Sequence, residues 1–374
     1  MKNNHHHIVL LLTVLVIILF GTFLMYSASS SFAYYKFNKS DTFFLSKQLV
    51  WLLIGFGLII FVQKVNPQIL NKFSKHVLFF SWIIMLIPII TNLGADTVDR
   101  WLKYGGQTIL TTSDLGKLGI IIFTSSYIDK FYNNLNDSKI LLYEYIPYAF
   151  ISLSIIAYQP DLSTTLVLAS ILLSLLFIAG LNKINIFRLF GLGLLALVAL
   201  IWRFPYQLKR IKFWIGLEES HQSSNSILAL ANGGFTGNGL GDSTFKYNGF
   251  IPEGQTDFVL AIIGEELGFI GIFFIFIIFT FLFLQGLKIS KQSTNRFYMF
   301  LSMGLTINLF FYLLINSAYV VQILPTTGLP IPFISYGGSQ TIFSMISIGL
   351  LMSIARENQI NLNPKFYYGR NKKK

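Results

Sequence analysis

The sequence contains no cysteine, which excludes disulfide bonds and thiolate metal sites. Charge is also scarce: charged residues occupy 12% of the 374 positions, whereas soluble domains carry about 25%. Hydrophobic residues fill 53% of the chain, and the mean hydropathy is +0.62. A chain with so little charge and so much apolar surface is predicted to lie in a membrane.

The apolar residues form long continuous blocks rather than amphipathic stripes. Ile8 to Phe23 carries no charge, and a helix needs about 20 such residues to cross a bilayer. The blocks are too long for barrel strands, and open sheet edges do not face lipid. We therefore predict an all-α integral membrane protein. Its ten predicted spans are about 8–28, 47–63, 77–92, 109–127, 143–158, 161–180, 187–203, 257–284, 298–319 and 340–355.

The first span is interpreted as an uncleaved anchor rather than a signal peptide, because it lacks a small-residue cleavage site and further spans follow. The three histidines that precede it, His5 to His7, are not assigned to a metal site. One membrane domain is predicted over 1–374. It has a large structured outer loop over 204–256, between the seventh and eighth spans, and a basic cytoplasmic tail over 356–374.

The positions of lysine and arginine predict the orientation in the membrane. With the N-terminus in the cytoplasm, the inner segments hold 17 Lys and Arg residues and the outer segments hold 9. This bias is typical of a cytoplasmic-membrane protein with both termini inside. The net charge of +12 is then explained by topology and requires no nucleic-acid partner.

The long outer loop begins with cations and ends with carboxylates. Its cations are Arg203, Lys209, Arg210 and Lys212, and its closing acids are Glu253 and Asp257. Such a pattern suits an anionic, phosphate-bearing substrate with an acid–base group beside it. The same charges also suit residues that anchor the loop to lipid headgroups, so both interpretations remain open.

Asp257 lies where the apolar run 259–263 begins. An ionisable residue against a span is a functional candidate, because it is costly there. Aspartate is also well suited to cap the first turn of the eighth helix. Charge and position alone do not separate these two roles.

Two other outer segments carry unusual residues. Arg100 and Trp101 follow two aspartates in the second outer loop, where a tryptophan is more often an interfacial anchor than a ligand contact. The segment 324–339 holds three prolines and three glycines in sixteen residues, so it cannot form a regular helix. Irregular backbone near membrane depth indicates a segment that lines a cavity.

These motifs together resemble the SEDS family (shape, elongation, division and sporulation), which includes RodA and FtsW. The resemblance runs from about Ser27 to Ile354. Its most specific elements are Ile251–Phe258 with Gly264–Gly268, and Pro325–Ser339. Supporting elements are Arg100–Trp101, Gln159–Leu162, Arg210–Ile211 and Gly233–Gly241. The segments Gly241–Lys246 and Tyr26–Ser30 are more similar to FtsW than to RodA.

The resemblance implies a peptidoglycan glycosyltransferase that polymerises lipid II on the outer face of the cytoplasmic membrane. It implies a class B penicillin-binding protein as crosslinking partner, alongside other division or elongation membrane proteins. The family's essential aspartate falls on Asp257 and its conserved outer tryptophan on Trp101.

On this basis Asp257 is the candidate general base, in a reaction that inverts the anomeric centre. Candidate cations for the leaving pyrophosphate are Arg210, Lys209 and Arg100, and a divalent ion, Mg²⁺ or Mn²⁺, could share that task. Asp161 is a candidate positioning residue. The remaining candidate substrate-binding residues are Lys117, Glu253 and Ser335.

The sequence departs from the family at the fourth span. Thr111–Asp114 replaces the usual Gln-Pro-Ser-Glu, while Lys117 is retained, and Ser163 replaces a usual glycine. These changes put in doubt the role of Asp114 and the path of that span. Two alternative functions also remain: a transporter that flips lipid II, which would need polar groups at both faces, and a non-enzymatic scaffold for division proteins.

Overall fold

The computed structural model describes residues 6–37, 39–91, 100–104, 107–159, 161–203, 205–218, 221–246, 250–252 and 254–362. Within them the helices are α1 (His6–Phe37), α2 (Phe43–Val62), α3 (Pro67–Lys72), α4 (Ser74–Thr91), α5 (Thr112–Phe131), α6 (Ser138–Ile140), α7 (Ile146–Tyr158), α8 (Leu162–Ile178), α9 (Lys183–Arg203), α10 (Pro205–Trp214), α11 (His221–Gly233), α12 (Val259–Gln292), α13 (Arg296–Val320) and α14 (Gly338–Leu362). The strands are β1 (Trp101–Tyr104) and β2 (Gln107–Thr111).

Membrane-spanning helices dominate this fold, which confirms the predicted all-α multi-pass class. In the described ranges, eight helical segments are long and apolar enough to cross a membrane. One of them, Ser138–Tyr158, joins α6 to α7 through a π-helical turn at Leu141–Tyr145. The other two predicted spans correspond to α5, which carries charges, and α8, which is apolar but only 17 residues long.

α5 shows why a span with charged residues is tolerated. Of its 20 residues, 14 are buried, including Asp114 and Lys117. It packs mainly against α4 and α13, so neither charge faces lipid. The helix begins at Thr112 rather than at the predicted residue 109, because β2 continues to Thr111.

The predicted outer loop contains the helices α10 and α11 followed by a series of turns. At the C-terminus, α14 continues to Leu362, so the predicted basic tail begins as helix rather than at residue 356. Residues 363–374 of that tail lie outside the described residues.

The break in α12 at Gly268 joins the outer loop to the helix bundle. Gly268 has φ 65° and ψ −162°, a conformation that interrupts the helical hydrogen bonds. The loop around Gly234–Gly239 replaces them with bonds from Asn238 N to Glu265 O (3.0 Å), Gly239 N to Glu266 O (3.0 Å), Phe269 N to Gly234 O (3.0 Å) and Ile270 N to Phe235 O (3.2 Å). A Cβ at Gly237 would overlap the backbone of Glu266. This close approach explains the glycine content of the loop.

Two buried carboxylates of α12 hold the rest of the loop. Glu265 accepts hydrogen bonds from the Asn232 amide (2.8 Å), the Thr244 hydroxyl (2.8 Å) and the Ser243 hydroxyl. Glu266 forms an ion pair with Lys246 at 2.7 Å and accepts a hydrogen bond from Ser27 of α1 at 2.6 Å. These acids therefore bind the loop to α1 and α12.

The strands β1 and β2 form an antiparallel hairpin in which Trp101 pairs with Thr111 and a bulge follows Leu102. The Thr112 amide, the first of α5, donates to the Arg100 carbonyl at 3.2 Å. The hairpin thus places Arg100 and Trp101 beside the start of α5.

Candidate functional site

A cavity of about 770 Å³ lies where the hairpin, the starts of α5, α8, α12 and α14, and the proline-rich segment meet. Four predicted site residues line it: Arg100, Trp101, Asp161 and Asp257. Residues 328–330 and 336–340 form another part of its wall. The proline-rich segment therefore lines a cavity, as its composition predicted.

Asp257 contributes to the cavity wall and directly precedes the N-cap residue of α12. The N-cap position belongs to Phe258, which makes no side-chain capping bond. Gly328 lies so close that a Cβ on it would be 3.1 Å from Asp257 Oδ2. The N-cap position that the sequence left open for Asp257 is thus occupied by Phe258, and Asp257 lies in the cavity wall.

Arg100 forms an ion pair with Asp161, with its Nη1 3.3 Å from Asp161 Oδ1. Asp161 is 2% exposed, caps α8 through the Thr164 amide (3.3 Å), and accepts a bond from the Ser113 hydroxyl (3.0 Å). Burial lowers the pKa of Arg100. The negative charges of Asp161, Asp257 and Asp114 raise it by more than burial lowers it, so the pKa of Arg100 lies above its ordinary value. Arg100 is therefore a permanent cation among carboxylates.

Asp114 and Lys117 form a second ion pair, with 2.6 Å between Lys117 Nζ and Asp114 Oδ1. Lys117 also donates to the Tyr312 hydroxyl, and the Ser339 hydroxyl donates to Asp114 Oδ2 at 2.7 Å. Asp114, Tyr312 and Ser339 line the cavity, whereas Lys117 lies behind them. Although aspartate is shorter than the glutamate usual in the family, Asp114 contacts both Lys117 and Ser339. Lys117 acts here as a buried counter-charge, and direct substrate binding by it remains a prediction.

Three other predicted residues, Lys209, Arg210 and Ser335, do not line the cavity. Lys209 and Arg210 are on α10, where Lys209 is exposed and Arg210 is half-buried and close enough to Tyr319 to act on it electrostatically. Ser335 is 2% exposed and accepts a bond from the Ile331 amide at 2.9 Å, so it shapes its own segment. Glu253 lies outside the described residues.

The cavity also includes residues that sequence reasoning missed. Lys47 and Trp51 reach it from α2, and Tyr312 reaches it from α13. Lys47 is exposed, and its ammonium lies 4.3 Å from the Phe43 ring centroid. A charge at the end of an apolar span is a signal that could have identified Lys47. Tyr312 is uncharged and lies inside an apolar span, so nothing in the sequence indicated that it lines a site.

Fold and site together define a polytopic membrane protein with a charged cavity at one end of its helix bundle. The family model described as "Cell cycle protein", covering FtsW, RodA and SpoVE, matches residues 7–360. The chain belongs to this family.

Relatives of known name include the probable peptidoglycan glycosyltransferase FtsW of Trichlorobacter lovleyi, which is 32% identical over 90% of this chain and 89% of its own length. The stage V sporulation protein E of Bacillus subtilis is 30% identical over 90% of this chain and 93% of its own. These relatives confirm the predicted similarity to FtsW.

Solved structures of other proteins share the fold. A chain from a study of polymerization and crosslinking by a peptidoglycan synthase complex superposes with a TM-score of 0.74 at 21% identity, covering 93% of this chain and 97% of that one. The rod shape determining protein RodA of Thermus thermophilus superposes with a TM-score of 0.67 at 20% identity, covering 93% and 96%.

Proposed function

We propose that this chain is a peptidoglycan glycosyltransferase that polymerises lipid II at the outer face of the cytoplasmic membrane, with both termini inside. The observation that carries the proposal is the convergence of Asp257 and Arg100 on one cavity of about 770 Å³. A cavity of this size accommodates sugar units. The similarity to FtsW favours a role in cell division over elongation.

The reaction joins two saccharides at the cavity. The 4-hydroxyl of the acceptor sugar attacks the anomeric carbon of the donor, and the bond from that carbon to the lipid pyrophosphate breaks. Asp257 takes the hydroxyl proton, and the pyrophosphate leaves with the electron pair. Attack opposite to the leaving group inverts the anomeric centre.

The leaving pyrophosphate needs positive charge nearby. Arg100 lies in the cavity wall with part of its charge balanced by Asp161, and Lys47 lies in the same wall on α2. We propose that these two cations bind the leaving pyrophosphate. Lys209 and Arg210, on α10, do not line the described cavity, and we propose that they contact the lipid-linked part of the substrate or the headgroups around it.

A divalent ion fits this site only together with substrate oxygens. Among the described residues, no three His, Asp or Glu side chains are grouped so that they could hold a metal. Mg²⁺ is often bound by one or two carboxylates plus substrate phosphates. Asp257 or Asp161 would supply the protein ligand, and the ion would contribute charge stabilisation.

The proposed partner is a class B penicillin-binding protein that crosslinks the new strands, together with other membrane proteins of the division or elongation machinery. The shared fold with a chain of a peptidoglycan synthase complex supports this proposal. A partner active in crosslinking would take up each strand as it leaves the cavity.

The function is tested with the purified chain, its transpeptidase and labelled lipid II. Glycan strands should form with both proteins and be absent with the transpeptidase alone. A parallel assay would follow labelled lipid II across the bilayer of vesicles that contain the chain. Transbilayer movement without strand formation would support the transporter instead.

Gly328→Ala is expected to lower the polymerisation rate by at least about tenfold, which corresponds to about 1.4 kcal/mol in the barrier. Gly328 has φ 67°, and an added Cβ would lie 3.1 Å from Asp257 Oδ2, so the carboxylate must move. Gly57→Ala on α2 is the matched control, because nothing lies within 4 Å of its added Cβ. Equal rates for the two variants would contradict the assigned position of Asp257.

A further inference from the structure

Two fully buried polar side chains of α13 bind the backbone of Asp257. Asn316 and Tyr319 are both 0% exposed. The Asn316 amide nitrogen donates to the Asp257 carbonyl at 2.9 Å, and the Tyr319 hydroxyl donates to the same oxygen at 2.6 Å. One carbonyl oxygen thus receives two hydrogen bonds, which use both its lone pairs.

The same pair also holds the opposite part of the cavity wall. The Asn316 amide nitrogen also lies 2.7 Å from the Leu329 carbonyl and 2.6 Å from the Tyr319 hydroxyl, so its two hydrogens are shared among three acceptors. Leu329 follows Gly328, the residue that faces the Asp257 carboxylate. Asn316 and Tyr319 therefore connect the two segments between which the carboxylate lies.

These bonds replace the helical bond that the Asp257 carbonyl would otherwise accept. In a continuous helix the Ala261 amide would donate to residue 257. Here it donates to Phe258 at 3.0 Å, so the helical ladder begins one residue later. The Asp257 carbonyl turns towards α13 instead.

We propose that Asn316 and Tyr319 are positioning residues that hold Asp257 through its backbone. The inference rests on the proposed role of Asp257 as the base. The competing explanation is that Asn316 and Tyr319 only stabilise the fold, because buried polar groups need hydrogen-bond partners in any protein core. The two explanations differ in what happens to catalysis when a donor is removed and the fold remains.

Tyr319→Phe keeps the ring and removes one donor, and Asn316→Leu removes the other at similar size. We expect kcat for lipid II polymerisation to fall about 10-fold or more in each variant, with KM within about twofold and partner binding unchanged. Ser317→Ala is the control on the same helix, because within the described part of the chain its hydroxyl donates to the Leu313 carbonyl of α13 and to no other residue. It should keep the wild-type kcat.

A double-mutant cycle separates positioning from structure. In the Asp257→Asn background, long incubations with labelled lipid II measure the residual rate, and Tyr319→Phe should reduce it by less than about twofold, because the residue acts through Asp257. The same reduction in both backgrounds, or wild-type kcat in the folded single variants, would overturn the inference. Wild-type rates in Asp257→Asn would refute the general-base role on which this inference rests, whereas absence of strands from the wild-type protein would overturn the proposed function.

Discussion

Asp257→Asn should reduce glycan polymerisation by about 10²–10⁴-fold, the range that a general base contributes. The amide has nearly the same size and shape, but it cannot take the proton from the attacking hydroxyl. Asp257 precedes the N-cap residue of α12, and asparagine keeps its size there, so we expect the start of the helix to remain intact. The rate is measured with purified protein, transpeptidase and labelled lipid II.

The matched control is Asp242→Asn, in a turn of the outer loop where the Asp242 amide donates to the Gly239 carbonyl at 3.2 Å. Asp242 does not line the described cavity, so its variant should polymerise at the wild-type rate. Both variants should co-purify with the transpeptidase. A wild-type rate for Asp257→Asn would refute the general-base role and leave the cavity without its assigned chemistry.

Lys246→Met should lower the free energy of unfolding by about 3–5 kcal/mol, which is typical when one partner of a buried ion pair is removed. Lys246 and Glu266 have side chains that are only 2% and 1% exposed and lie 2.7 Å apart. The variant leaves the Glu266 carboxylate buried, with the Ser27 hydroxyl still donating to it at 2.6 Å. The change is measured by thermal or denaturant unfolding in detergent.

The second half of this test is the double variant Lys246→Met with Glu266→Gln. It should recover most of the lost stability, because the neutral amide can remain bonded to Ser27 without a buried charge. Lys64→Met serves as the control, since Lys64 is exposed, and should change stability by less than about 0.5 kcal/mol. If Lys246→Met behaved like Lys64→Met, the ion pair would not be what fastens the loop to α12.

The sequence was sufficient to predict the class of protein and the approximate positions of its membrane spans. Transfer of a side chain into lipid depends on that side chain and its near neighbours, so apolar blocks marked the spans without tertiary information. The motifs around Arg100, Asp161 and Asp257 also pointed to residues that the fold brings to one cavity. These residues stand out because charges beside spans are rare.

Tertiary structure decided which of these residues face the cavity. Lys117 lies behind Asp114, Ser335 bonds within its own segment, and Lys47 enters from α2. The pairs that produce this arrangement join distant parts of the chain, as Ser339 joins Asp114. Helix packing sets such pairs, and no local pattern encodes them.

The sequence by itself was thus enough to predict a membrane-spanning protein of this family and to indicate Asp257 as its candidate general base. Only the tertiary structure decided that Asp257 lies in a cavity wall, one residue before the N-cap of α12, and that Asn316 and Tyr319 bind its carbonyl. The physical reason is that hydropathy is a property of neighbouring residues in the sequence. The direction of a side chain or carbonyl depends instead on residues that are distant in sequence and come close only when the helices pack.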